Sequence, residues 1–385
     1  MNMNWNEFAI SAIGDVIGGG TPSTKHNEYY GDEIAWITPK DLSNFNGRYI
    51  SRGERSISQK GYDNSSAQMM PAGTVLFSSR APIGYVAIAK NELCTNQGFK
   101  SVVPHPEICD SEFLYYLLCY RKHDIEAIAS GTTFMEVSGT ALKNFVVHMP
   151  DISTQKKIAS VLSSLDQRIE GNNLINHNLE EQAKAIFKSW FVDFDPFQNG
   201  AFVDSELGQI PAGWNVGTLK DMLEIRYGKD HKKLADGAFP VYGSGGLMRY
   251  AEKALFSGES VLIPRKGTLN NVMRVTGDFW TVDTMFYSVP KKAGAAKYTY
   301  HILSALDLAS MNSGSAVPSM TTDILNAIKI VLPAENVLKE FDRLTSFFWE
   351  TIETNKMESQ RLAQLRDALL PKLMSGEIDV SEVEI

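Results

Sequence analysis

The sequence predicts an α+β chain of two similar domains in pseudo-twofold arrangement, separated by two long antiparallel coiled-coil helices. Three observations predict it. An internal repeat runs through most of the chain, a heptad seam follows each copy of that repeat, and short apolar strand candidates are broken by glycine, proline and asparagine turns. The domain boundaries read as 1–150, 151–200, 201–333 and 334–385, alternating globular and helical.

The repeat is clearest where residues 130–150 (SGTTFMEVSGTALKNFVVHMP) align without a gap with 313–333 (SGSAVPSMTTDILNAIKIVLP). Ser130/Ser313, Gly131/Gly314, Leu142/Leu325 and Pro150/Pro333 are identical at an offset of 183 residues. The same offset continues through Ile169/Ile352, Glu170/Glu353, Asn172/Asn355, Leu179/Leu362 and Ala185/Ala368. Upstream, at an offset of 186, GTVLFSSRAP (73–82) faces ESVLIPRKGT (259–268), Thr95 faces Thr281, and Pro104 faces Pro290. Identity is low, but the matches are collinear, and a duplication explains that order.

After Pro150 the polar run 151–155 supplies helix N-cap candidates, and a long segment with Gly171 as its one glycine follows. Ile158, Leu162, Leu165, Ile169, Asn172, Asn176, Leu179, Ala183, Ile186 and Trp190 recur in steps of 4 and 3, a heptad seam. The second seam is Phe341, Phe348, Ile352, Asn355, Leu362, Leu369 and Leu373, with Leu344 and Leu365 beside it. Asn172 and Asn355 occupy the same place in both, where a buried asparagine trades stability for a fixed register. A helix of this length extends ~60 Å. Pairing within the chain is expected; a local hairpin or a homodimeric coiled coil is the alternative.

In 1–150 and 201–333 the strand candidates include 34–37, 75–77, 85–88, 261–263 and 285–289, with helices at 111–120 and 298–308. Long loops on such a scaffold are where recognition residues sit. At one repeat position the two halves carry Ser79-Arg80 and Arg265-Lys266, followed in the second half by Asn270 and Asn271. A second patch is 18–25 (GGGTPSTK), with Thr21, Thr24 and Lys25. It answers to 227–233 (YGKDHKK), with Tyr227, Lys229, Lys232 and Lys233, and then Tyr242 and Ser244. Lys40, Thr132 and Thr133 complete the candidate DNA-binding set. Arginine and asparagine can read guanine and adenine edges by paired hydrogen bonds, and lysine can anchor phosphates.

Bulk composition permits this chemistry without demanding it. The 385 residues carry 37 basic and 45 acidic side chains, a net charge of −8, whereas phosphate contact needs positive charge. Residues 334–385 hold 6 basic against 11 acidic groups, while 220–274 hold 10 against 6. The acid is therefore concentrated away from the candidate loops. No signal peptide or membrane span is seen, and Cys94, Cys109 and Cys119 lack CxxC spacing, so a cytoplasmic protein with reduced thiols is expected.

Catalytic signatures are missing. There is no GxxxxGK[ST] loop, no HExxH pair, no metal-ligand spacing among the seven histidines and no Asn/Asp-Pro-Pro-aromatic tetrapeptide. Asp221, Asp230 and Lys232 only loosely imitate a nuclease set. Asp193 and Asp195 in WFVDFDPF fit a helix-to-domain linker, with Trp190, Phe191 and Phe194 packed down, better than a metal site. No catalytic residue, metal or cofactor is assigned to this chain.

Several motifs carry a family resemblance over essentially the whole length: GGGTPSTKHNEYYG and IAWITPKDL within 18–42, TNQGF at 95–99, DISTQKKIASVLSSLDQRIE at 151–170, SELGQIPAGWNVGTL at 205–219, and FPVYGSGG, RKGTLNNV and FWTVDTMFY within 239–287. In this order, flanking two heptad helices, they resemble the DNA-specificity subunits of type I restriction–modification systems. The second domain departs from many relatives in placing Pro264 before Arg265-Lys266. The resemblance implies two target-recognition domains, each reading one half of a bipartite site on double-stranded DNA, with the helices setting the unread spacer. It implies two methyltransferase subunits docked on the helical regions and motor–nuclease subunits joining for restriction. S-adenosylmethionine, ATP and Mg would then belong to those partners. A specificity subunit of an orphan methyltransferase or other phage-defence complex remains an alternative, as does a self-contained nuclease or methyltransferase.

Overall fold

A computed structural model describes residues 5–43, 45–80, 82–131, 135–311 and 319–383, and its element order is duplicated. Each half opens with strand, short helix and strand: Asn6–Ala9, Ile10–Ile13 and Gly14–Gly18, then Asn215–Thr218, Leu219–Met222 and Leu223–Tyr227. Each closes with a short helix and a strand, Gly139–Lys143 with Val146–Met149 and Thr322–Asn326 with Lys329–Leu332. In both halves the closing strand pairs antiparallel with the opening one, Asn6 opposite Met149 and Asn215 opposite Leu332. A 40-residue helix follows each, Ile152–Phe191 and Glu335–Met374, so the 183-residue offset reappears in the helix ends.

The central sheets repeat as well. In the first half Gly14–Gly18 pairs antiparallel with Lys100–Pro104, which pairs with Val75–Ser79, and that strand with Ile83–Ala89. In the second half the corresponding order is Leu223–Tyr227, Met285–Pro290, Ser260–Pro264 and Met273–Val275. A parallel pair recurs beside each, Ile37 opposite Thr95 in one and Tyr242 opposite Thr281 in the other. The central strands Val75–Ser79 and Ser260–Pro264 are buried at every residue, as fits the apolar runs at 75–77 and 261–263. The helix expected at 298–308 forms three residues earlier, as Ala295–Ala305, because Gly294 (φ +77°) takes the left-handed position just before it.

The chain divides into two compact units, Met1–Leu174 with Thr354–Ile385, and Ile175–Glu353. Each unit holds one globular domain and a stretch of both long helices. In the first, Ile158, Leu162, Leu373 and Met374 join the core built on Phe113, Leu114 and Leu117 of the helix Ser111–Tyr120. In the second, Phe187, Phe191, Leu338 and Phe341 close on Tyr298 and Leu303 of the helix Ala295–Ala305. Partner residues rise along one long helix as they fall along the other: Asp166 meets Arg366 and Arg168 meets Glu358 in the first unit, and Phe187 meets Phe341 while Ala183 meets Trp349 and Ile352 in the second. The pairing is antiparallel in both units.

Asp151 starts the first long helix as expected: its carboxylate accepts from the amides of Ser153 (3.0 Å) and Thr154 (3.1 Å), bonds that hold its pKa below the usual range. Most of the expected seam faces inward. Ile158, Leu162, Asn172, Ala183, Phe341 and Ile352 are buried, and Leu165, Ile169, Leu179, Phe348, Asn355, Leu362 and Leu369 are partly so. Leu344 and Leu365 are exposed; the inward places belong to Thr345, Trp349 and Arg366. Steps of 4, 4 and 3 from Phe341 through Thr345 and Trp349 to Ile352 keep one face at 3.6 residues per turn, and Leu344 falls a position off it. The two asparagines are also asymmetric. Asn172 donates its amide to the backbone carbonyl of Asn355 (3.4 Å), to Glu358 (2.8 Å) and to Ser359 (3.2 Å).

Candidate nucleic-acid interface

Each domain carries its glycine-led candidate loop over the parallel strand pair. After Gly14–Gly18, Gly19 lies against Thr95 and Asn96, and the amide of Gly20 donates to the Thr95 carbonyl (2.9 Å). After Leu223–Tyr227, Gly228 lies against Thr281 and Val282, and the amide of Lys229 donates to the Thr281 carbonyl (2.9 Å). A Cβ at Gly19 or Gly228 would overlap those carbonyl oxygens, so glycine is what lets the chain cross the strand ends here. The following residues, 21–25 and 229–233, are thereby held at matching places in the two domains.

In the first domain Thr21 donates its hydroxyl to the Gln97 side chain, and Thr24 and Lys25 are exposed. Lys40 is exposed but ion-paired to Glu54 (2.6 Å), which raises its pKa. Arg80 (3.7 Å) and Lys100 (3.2 Å) share the carboxylate of Glu136. Ser79 departs from the expectation. It is buried at the end of its strand and donates its hydroxyl to the Gly98 carbonyl (3.2 Å), so it presents nothing outward. Thr132 and Thr133 lie outside the described residues.

In the second domain Tyr227 is exposed, and the Arg265 guanidinium stacks over its ring at 5.4 Å while donating to the Asp283 carbonyl (3.3 Å). Lys229, Lys232, Lys233 and Lys266 are exposed, and none forms an ion pair among the described residues. Tyr242 and Ser244 sit partly buried at the start of the hairpin joining Phe239–Gly243 to Gly246–Ala251; burial pushes the Tyr242 phenol up to about 12. The two asparagines make bonds within the domain. Asn270 donates to Asp307 (3.0 Å) and accepts from the Ala309 amide (2.9 Å), and Asn271 donates to the Ser244 carbonyl (2.8 Å). Asn270 thus uses one donor and one acceptor of its amide within the domain, and Asn271 one donor.

The residues that loosely imitated a catalytic centre are accounted for locally. Asp221 accepts from the Thr218 amide (2.8 Å) and hydroxyl (3.1 Å) as a helix cap, Asp230 accepts from the Lys232 amide (3.0 Å), and Asp193 pairs with Lys188. Trp190, Phe191 and Phe194 pack with Trp214 and Phe341, as the linker reading expects. No cluster of three metal-ligating side chains occurs among the described residues.

Sequence inspection missed a set of buried ionic and aromatic groups that brace each domain against the helices. In the first unit Arg48, only 3% exposed, reaches Glu112 (3.0 Å), Glu170 (3.5 Å) and Asp166 (4.0 Å). Asp166 also takes Arg366 (2.6 Å) and the Tyr116 hydroxyl (2.5 Å). Burial and that bond to Asp166 both push the Tyr116 phenol far above its ordinary range. In the second unit Trp349 replaces Asp166 at the repeat position, packing on Tyr300 and under the Arg274 guanidinium (4.7 Å). His301 is stacked on Phe187 (5.0 Å), and burial, aided by the charges of Arg274 and Lys184, pushes its pKa down to about 4.

A family profile described as the type I restriction modification DNA specificity domain matches residues 2–181 and 211–364. The chain is 36% identical over 421 residues to the specificity subunit of the type I restriction enzyme MjaIX of Methanocaldococcus jannaschii, covering 99% of this chain and 95% of that protein. Against the HindI specificity subunit of Haemophilus influenzae the identity is 23% over 460 residues, with 96% of each chain covered. In fold it resembles the crystal structure of a type I restriction–modification S subunit from M. genitalium, with a TM-score of 0.61 at 19% identity over 97% of this chain and 96% of that one.

Proposed function

Because the chain belongs to the type I restriction–modification specificity family, we propose that it is the non-catalytic subunit that reads a bipartite site on double-stranded DNA, one half with each domain. The observation that carries this reading is the recurrence of one loop, led by Gly19 and Gly228, at the same topological place in both domains. A duplicated scaffold with different loop chemistry is what reading two different half-sites requires. Lys229, Lys232, Lys233 and Lys266 supply phosphate-anchoring charge in the second domain, and Lys25 and Arg80 do so in the first.

On this reading the paired helices set the unread spacer, and two methyltransferase subunits dock along them. Large apolar side chains on both helices face solvent, Phe347, Leu174 and Met357 among them, which suits a protein partner. Motor–nuclease subunits would join for restriction, and S-adenosylmethionine, ATP and Mg would be held by the partners. No helix among the described residues is long and apolar enough to cross a membrane. On this reading the assembly works on DNA in the cytoplasm.

The test is co-expression with a methyltransferase partner in a host lacking its own adenine methylation, followed by long-read mapping of modified bases. A split motif with a fixed gap is expected, and exchanging residues 1–150 for a relative's domain should change one half alone. A continuous motif, or methylation by the chain without a partner, overturns the proposal. Replacing Lys229, Lys232 and Lys233 together by alanine should weaken DNA binding by the complex and lower its dependence on salt by up to about three phosphate contacts.

A further inference from the structure

The peptide after each loop-leading glycine is held twice. Its amide donates to the Thr95 or Thr281 carbonyl, as described, and its own carbonyl accepts from an indole. Trp36 Nε1 donates to the Gly20 carbonyl (3.0 Å), and Trp280 Nε1 donates to the Lys229 carbonyl (2.8 Å). Both tryptophans are buried.

The two indoles do not come from equivalent positions. Trp36 lies on the strand Tyr30–Ile37, opposite Cys94, whereas Trp280 lies on Asp278–Thr281, opposite Val241. The duplication matches Trp36 to Val241 and Cys94 to Trp280, since Ile37 opposite Thr95 matches Tyr242 opposite Thr281. The same bond is therefore made from opposite members of the parallel pair. Plain retention of an ancestral core residue would leave the tryptophan on the same strand in both halves. What the halves share is the pinned carbonyl, and each half reaches it from whichever strand holds its indole.

We propose that Trp36 and Trp280 are positioning residues for DNA reading, each fixing the recognition loop of its own domain and so the fidelity of one half-site. This rests on the proposed function for the identity of the loops as DNA contacts. The pin itself is a property of the fold. The buried Gly20 carbonyl, without its indole, must turn to find another donor, and the backbone of 20–21 turns with it; the part-buried Lys229 carbonyl loses its tie to the sheet, which frees 229–230. Because the loop side chains would read DNA jointly, a small rotation at its root misplaces them all.

Trp36→Phe and Trp280→Phe remove the N–H while keeping a buried ring, and two measurements test them on the full-length chain. In hydrogen exchange, Trp280→Phe should speed exchange of the Lys229 amide about fivefold to tenfold, leaving the loop at 19–26 unchanged, with the mirror result for Trp36→Phe. In the methyltransferase complex, mapped on genomic DNA by long reads, Trp280→Phe should relax one half of the motif and Trp36→Phe the other. Unchanged exchange at Gly20 and Lys229 in both variants overturns the pin, whatever the methylation shows. Faster exchange with both half-motifs intact, or both halves relaxed by either variant, overturns the positioning role. The triple Lys229→Ala, Lys232→Ala, Lys233→Ala variant separates the two layers. If it too leaves the motif and the affinity unchanged, the loop is not a DNA contact and the proposed function loses its site, while the exchange result stands by itself.

Discussion

The two units solve one bracing problem with opposite chemistry. At the repeat position where the domain's short helix meets the long-helix pair, the first unit places Asp166 between Arg48, Arg366 and Tyr116, and the second places Trp349 between Arg274, Tyr300 and Ala183. The ionic brace is directional and demands that every partner stay. Burying Asp166 without its cations would cost several kcal/mol, so its benefit lies in holding one geometry rather than in net stability. The aromatic brace draws on area and stacking, which tolerate sliding. The candidate DNA loops differ in the same sense. Arg80 and Lys100 share Glu136 and Lys40 holds Glu54, whereas Lys229, Lys232, Lys233 and Lys266 of the second domain form no ion pair among the described residues. Before Arg80, Lys100 or Lys40 can meet phosphate each must release a carboxylate, which leaves Lys25 as the ready cation, so the first domain's grip should be weaker and more selective.

The sharpest way to break this comparison is to truncate both braces. Trp349→Ala should cost about 4 kcal/mol of stability by opening a large cavity, and Asp166→Ala about 3 kcal/mol by taking from Arg48, Arg366 and the Tyr116 hydroxyl the carboxylate they share. The second loss should shrink when Arg366→Ala is added, since one stranded charge is then gone. Urea unfolding of the single and double variants measures this, and additive losses at 166 and 366 would deny the ionic coupling.

Acidification probes the second unit. His301 has a folded pKa of about 4 against an ordinary 6.5, so between these values the unfolded chain binds the proton and the folded chain does not. Its contribution is whole above pH 6.5 and is lost as pH falls toward 4, by roughly 3 kcal/mol. His301→Phe should flatten that part of the stability-versus-pH curve; an unchanged slope would place the acid sensitivity elsewhere.

Removing one negative charge in the first domain sharpens the DNA half of the comparison with a smaller effect. Glu136→Gln frees Arg80 and Lys100 from their shared carboxylate and should strengthen binding of nonspecific DNA a few-fold at low salt, measured by titration of the methyltransferase complex. The smallest change expected is at Gly171, inside the first long helix, where an added Cβ would meet no atom within 4 Å. Gly171→Ala should stabilise the chain by about 0.5–1 kcal/mol, read from the midpoint of urea unfolding.

Much of this was legible along the chain because it rests on periodicity. The duplication, the 40-residue helices and their inward Ile158, Leu162, Phe341 and Ile352 follow from residue spacing, which a helix converts directly into a face. Other features were decided only by tertiary contact. Nothing at Arg48 marks it as buried, since its partners Glu112, Asp166 and Glu170 lie 64, 118 and 122 residues away. The bonds of Asn270 to Asp307 and of Asn271 to the Ser244 carbonyl likewise have no signal along the chain, and Ser79 looks exposed until Gly98 covers it. Spacing determines which face a residue shares, but a polar side chain's role depends on which partner the folded chain brings within about 3 Å, and that distance exists only once the loops are closed.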